Sequence, residues 1–139
     1  MTNEWDAYEP DHLYDEILLY LTEETNACEL IPDLKASAEI EKQWLGRPLA
    51  FDIRLQVPIV SGYDKLIGCW DAVIRTLGAS YRILIVPHIK HVGKTLRTLQ
   101  VYREFDRSSG HICIISTDDR YRKLFESNGA KFYLYQKKE

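Results

Sequence analysis

The stretch from Gly68 to Phe105 constrains the fold more than any other, because it reads as strand, tight turn, strand, helix. Gly68-Cys69-Trp70-Asp71-Ala72-Val73-Ile74 is an apolar strand interrupted by one carboxylate. Tyr81–Lys90 is a second strand, and its Ile83-Leu84-Ile85-Val86 run is apolar on both faces, as a strand covered on two sides requires. Lys94–Phe105 follows as a helix with Leu96, Leu99, Tyr102 and Phe105 along one side. Leu77-Gly78-Ala79-Ser80 makes the turn between the strands. A turn centred between Ala79 and Ser80 sets Asp71 opposite His88, and alternation puts Lys90 on the same face. That register gathers a carboxylate, an imidazole and an ammonium group at a strand end, a place suited to chemistry on phosphate.

The rest of the chain extends this pattern. Asp11 is expected to cap a first helix, running to about Glu24, with Leu13, Ile17, Leu18 and Leu21 as its stripe. Asp33 caps a second helix that Gly46 and Pro48 stop. Phe51, Ile53, Leu55 and Val57 alternate with Asp52, Arg54 and Gln56, which predicts a half-exposed strand over 49–59 with its apolar residues on one face. After the 94–106 helix come a buried strand at His111–Thr117, a short helix at Tyr121–Ser127 and a last strand at Lys131–Gln136. The order implies one α/β domain over 1–139. Its mixed sheet is an antiparallel meander followed by a parallel βαβαβ run with right-handed crossovers, and helices lie on both faces. Residues 1–46 form an acidic helical front and 47–139 the sheet core.

Charge divides along the same line. Residues 1–41 hold 12 acidic side chains and one basic, Lys35, whereas 42–139 hold 9 acidic and 17 basic. A positive body suits a polyanion, since neutralising phosphates releases counterions. The acidic front is expected to contact a basic protein or the chain's own basic face. The three cysteines form no disulfide framework. No apolar run approaches the roughly 20 residues of a membrane span, and the start, Met1-Thr2-Asn3-Glu4-Trp5-Asp6, is acidic rather than signal-like. A cytoplasmic protein with no membrane contact is therefore expected, and a domain of this size is expected to pair as a homodimer.

The element order over roughly 33–136, with Asp71 in the second meander strand and Ile89-Lys90 ending the third, resembles the restriction-endonuclease-like, or PD-(D/E)xK, nuclease superfamily. The resemblance implies a metal-dependent nuclease in which an acid and an acid-x-Lys hold a divalent ion and activate water. Asp71, His88, Lys90 and Gln100 then become the catalytic candidates, and Tyr102 lies with Gln100 in a helix where several branches carry a glutamine and a tyrosine. Asp71, His88 and Glu41 become the ligands of Mg²⁺ or Mn²⁺. Lys94, Arg97 and Arg103 become contacts to nucleic acid. His88 stands where the family carries an acid, and Mg²⁺ prefers oxygen ligands to imidazole. The resemblance therefore leaves three outcomes: an imidazole-tolerant ion, a carboxylate brought in from Glu16, Glu39, Glu41 or Asp52, or a catalytically inactive fold that still binds nucleic acid or protein. Val92-Gly93-Lys94-Thr95 also looks like the end of a phosphate-binding loop, but the glycine needed five residues before Gly93 is His88.

Overall fold

The computed structural model describes residues 11–46, 51–106, 108 and 110–136. The expectations for Met1–Asp6 and for Pro48 lie outside them. Three helices come first: α1 (Asp11–Leu21), α2 (Glu24–Leu30) and α3 (Pro32–Leu45). They lead into β1 (Asp52–Val60), β2 (Leu66–Arg75), β3 (Ser80–Ile85), α4 (Val92–Phe105), β4 (His111–Ser116), α5 (Arg122–Ser127) and β5 (Lys131–Leu134). The sheet runs β1-β2-β3-β4-β5, antiparallel from β1 to β3 and parallel from β3 to β5. The expected mixed α/β architecture is therefore present. The first helix ends three residues before the expected Glu24, and the expected cap at Asp11 lies outside the described side chains. The separate α2 was not foreseen. Its signal was Ala27 with Leu30 and Ile31 at helical spacing, and both Ala27 and Ile31 are fully buried.

The sheet separates two cores. Cys113 and Ile115 of β4 pack with Ile17, Leu21, Ala27 and Leu34 of α1–α3. Ile112 and Ile114 of the same strand pack with Leu99 of α4 and Phe125 of α5. Alternation along β4 proves that these are opposite faces. The acidic helices thus cover one face and the basic helix α4 the other.

Two of the charged groups that fix the layers are paired. Asp33, in the first turn of α3, takes hydrogen bonds from Lys131 Nζ (2.5 Å) and Tyr133 Oη (3.1 Å) of β5. The Lys131 contact holds its carboxyl below the usual range, and the position also suits the helix dipole. At the far end of α4, Asp106 accepts from Trp70 Nε1 at 2.6 Å and lies 3.4 Å from Arg82 Nη1. Burial pushes this carboxyl up, but bonds from Ser108 and Trp70 and the Arg82 charge bring it below its ordinary value. Arg82 is buried, and its Nε already lacks a partner. Removing its counter-ion leaves a charge uncompensated in the interior. Asp106→Ala is expected to cost roughly 2–3 kcal/mol, below the range for fully buried pairs because Asp106 is partly exposed; urea denaturation of the variant checks this.

Candidate functional site

The β2–β3 pairing differs from the expected register. The observed partners are Ala72↔Ile83, Val73↔Arg82, Ile74↔Tyr81 and Arg75↔Ser80. The loop is Thr76–Ala79, closed by Thr76 N–H to Ala79 O at 2.9 Å and reinforced by the Thr76 hydroxyl. A turn centred two residues earlier shifts the register by four. Continued one step, it sets Leu84 across from Asp71, so Asp71 does not face His88. β3 also ends five residues before the expected Lys90. Pro87 has no N–H to extend a ladder, and its carbonyl is taken by Thr117 Oγ1 (2.5 Å) and Thr117 N–H (3.2 Å). Ile89 then dives into the α4-side core, leaving His88 and Lys90 exposed on either side of it.

Asp71 is the centre of a different constellation. It is 8 % exposed and accepts from Tyr14 Oη of α1 (2.5 Å) and from the Ile85 N–H of β3 (2.6 Å). Val86 N–H turns to β4, bonding Ile115 O, so Ile85 N–H points to β2. There it meets a side-chain carboxylate instead of a ladder carbonyl. Gln56 of β1 donates to Tyr14 Oη at 2.6 Å, and Cys69 Sγ donates to Gln56 Oε1 at 3.3 Å. A directed chain of donors therefore runs from the exposed Gln56 to a buried carboxylate.

Both strands turn over at this point. Gln56 has φ of 53°, a left-handed conformation unusual outside glycine. Its neighbours pair as Leu55↔Ala72 and Val57↔Trp70. Phe51 and Ile53 pack on the α1–α3 side, whereas Val57 and Ile59 pack on the α4 side. In β2 the switch falls between Trp70 and Ala72. The expectation of one continuous apolar face on β1 is thus corrected. Simple alternation assumes a regular backbone, and a left-handed residue breaks it.

Burial pushes the Asp71 carboxyl above its ordinary value, and the bonds from Tyr14 and Ile85 draw it part of the way back. Burial, then the bond to Asp71, raises the Tyr14 hydroxyl as well. Burial raises the Cys69 thiol, with the Asp71 charge adding to it. None of these groups is activated as a nucleophile; the arrangement holds its protons.

The other candidates are dispersed. Gln100, Lys94, Arg97 and Arg103 are exposed on α4. Glu41 is buried on α3, on the other side of the sheet from α4. His88 lies near Asp118, whose carboxyl is lowered chiefly by Arg120 and least by the His88 charge. Among the described residues no group of three or more His, Cys, Asp or Glu side chains is placed to hold a metal. The set Asp71, His88 and Glu41 is not brought together and does not fit Mg²⁺ or Mn²⁺. Sequence reasoning missed Tyr14 and Gln56. Tyr14 was legible as a member of the α1 stripe, one turn before Ile17 and Leu18, whereas nothing in the sequence marked Gln56 for a positive φ.

No family model, no curated protein and no solved structure matches this chain. Among the described residues no helix is long and apolar enough to cross a membrane.

The raised Asp71 carboxyl has a defined sign. The folded state holds this proton more tightly than the unfolded chain, whose value is 3.8. The resulting stability is present below that pH and is lost as pH rises through the raised value. The unfolding free energy of the wild type relative to Asp71→Asn is therefore expected to fall from acid towards neutral pH; a difference that stays flat rejects the assignment. Tyr14→Phe is expected to cost about 1–2 kcal/mol and to push the Asp71 carboxyl higher still, which pH-resolved denaturation would detect.

Proposed function

We propose that the chain is a catalytically inactive protein of restriction-endonuclease-like fold that binds nucleic acid through α4 and the β3–α4 connection. The observation that carries this reading is a separation: the carboxylate is buried and committed on the α1 side of the sheet, while the exposed cations accompany α4 on the other. The element order, with Asp71 in the second meander strand, supports the fold. The residues beside Asp71 at the end of β3 are Leu84 and Ile85, followed by Val86, where an acid-x-Lys would be needed for metal-dependent hydrolysis. An apolar segment there supports binding without cleavage.

The exposed basic side chains fall in one stretch of the chain. His88, Lys90 and His91 occupy the connection, and Lys94, Arg97 and Arg103 follow on α4. Among the described residues none of Lys90, Lys94, Arg97 or Arg103 has an acidic group within 4.0 Å. Lys94, Arg97 and Thr98 line a shallow groove with Ile67 and Tyr102. Uncommitted cations along a groove suit a phosphate backbone read without base specificity.

Labelled duplex and single-stranded oligonucleotides test this. Binding is expected at low salt and is expected to weaken steeply as salt rises. Lys94→Glu with Arg97→Glu is expected to lower affinity by on the order of tenfold or more and to flatten the salt slope by about 2. Asp71→Asn is expected to bind like the wild type. Plasmid is expected to stay uncut with Mg²⁺ or Mn²⁺; cleavage that Asp71→Asn abolishes would reverse the reading, as would absence of binding at low salt.

A further inference from the structure

Where α4 ends, the sheet carries a second set of cations. Val73 pairs with Arg82, and Arg75 with Ser80, across β2 and β3. Cross-strand partners share a face, and Val73 packs on the α4 side. Arg75, Ser80 and Arg82 therefore all project to that side. With Val60 of β1 and Phe105 of α4 they line a recess of about 290 Å³. That is about twice the roughly 150 Å³ that holds a benzene ring. Arg82 is 6 % exposed, and its guanidinium lies 5.6 Å from the centre of the Trp70 ring. Its Nη1 donates to Asp106 O at 3.2 Å and its Nη2 to Gly110 O at 2.9 Å, while Nε is shut away from water without an acceptor. A buried donor left unanswered calls for a reason beyond packing.

We propose that the recess binds the carboxylate of a small organic acid, with Arg75 as its direct partner, the Arg82 charge buried in the wall, and Val60 and Phe105 beside the acid's apolar body. Arg75 is exposed, and among the described residues it has no acidic group within 4.0 Å. Its cross-strand neighbour Asp52 turns to Arg54 instead, at 3.6 Å. The acid that lines the recess, Asp106, is already occupied. It accepts from Trp70 Nε1 and from the N–H and hydroxyl of Ser108, and it faces Arg82. Two guanidinium groups against one carboxylate leave one positive charge, which the negative end of α4 reduces further. That balance matches a monoanion and opposes a dianion. The planar guanidinium fork also matches a carboxylate in shape. Val60 and Phe105 are 47 % and 44 % exposed, so apolar surface stands open beside the charge. A molecule with one charged end and an apolar body covers both. A phosphodiester instead continues as a polar chain on each side of its charge. The recess lies at the opposite end of α4 from Lys94 and Arg97 and does not depend on the nucleic-acid reading.

Assigned nitrogen–proton correlation spectra of the full chain test this, with sodium acetate, butyrate and benzoate as probes at constant ionic strength. Benzoate is expected to shift the amides of Val60 and Ser80 and the Trp70 indole to saturation. Benzamide has the same shape without the charge and is expected to bind on the order of tenfold more weakly or worse. The same loss is expected for benzoate with Arg75→Gln, a variant of an exposed residue whose circular dichroism is expected to match the wild type. Inorganic phosphate and dimethyl phosphate are each expected to bind more weakly than benzoate. The proposal is overturned if none of the three carboxylates gives a saturable shift at these residues. It is equally overturned if benzamide binds as well as benzoate, or if Arg75→Gln binds benzoate like the wild type. Tighter binding of dimethyl phosphate would make the recess a backbone-phosphate contact and would also reject it.

Discussion

A single buried carboxylate joins the two halves of this molecule. Asp71 sits in the central part of the sheet and takes one hydrogen bond from α1 and one from the β3 backbone. Taking a carboxylate out of water is costly unless its lone pairs are satisfied. Its Tyr14 partner is fixed in turn by Gln56. The position of α1 on the sheet, the parting of β2 from β3 and the left-handed backbone at Gln56 therefore depend on one another. Backbone outliers of this kind persist only where the surroundings over-determine them.

The sheet also separates charge. Acidic α1–α3 lie on one face and α4, with its cations, on the other. The split is invisible in a net charge of −3 but plain in its distribution along the chain. A polyanion approaching the molecule meets opposite potentials on its two sides, which orients the encounter before any contact forms.

Much of the fold was legible because hydrophobic period is a local property. Ile83-Leu84-Ile85-Val86 reads as a strand covered on both faces, and it is central in the sheet. Leu99 reads as the inward side of a helix and is 3 % exposed. Gly46 reads as a stop and adopts φ of 64° at the end of α3. The candidate site was less legible. Asp71 stood out because a carboxylate in an apolar strand needs partners, but those partners could not be named. The error over His88 arose from the hairpin register, where a turn misplaced by two residues moves every cross-strand neighbour by four. The face switch at Gln56 gave no warning, since glutamine carries no preference for a positive φ.

The sequence by itself determined most of the elements, though not α2 or the end of β3, and how the charge divides along the chain, because periodicity, capping and composition act over a few residues. Tertiary structure decided which side chains meet. Register depends on the Thr76–Ala79 loop closing in one particular way, and the environment of Asp71 depends on α1, β1 and β3 arriving at one place from distant parts of the chain. Those are long-range packing choices, and no local pattern of residues encodes them.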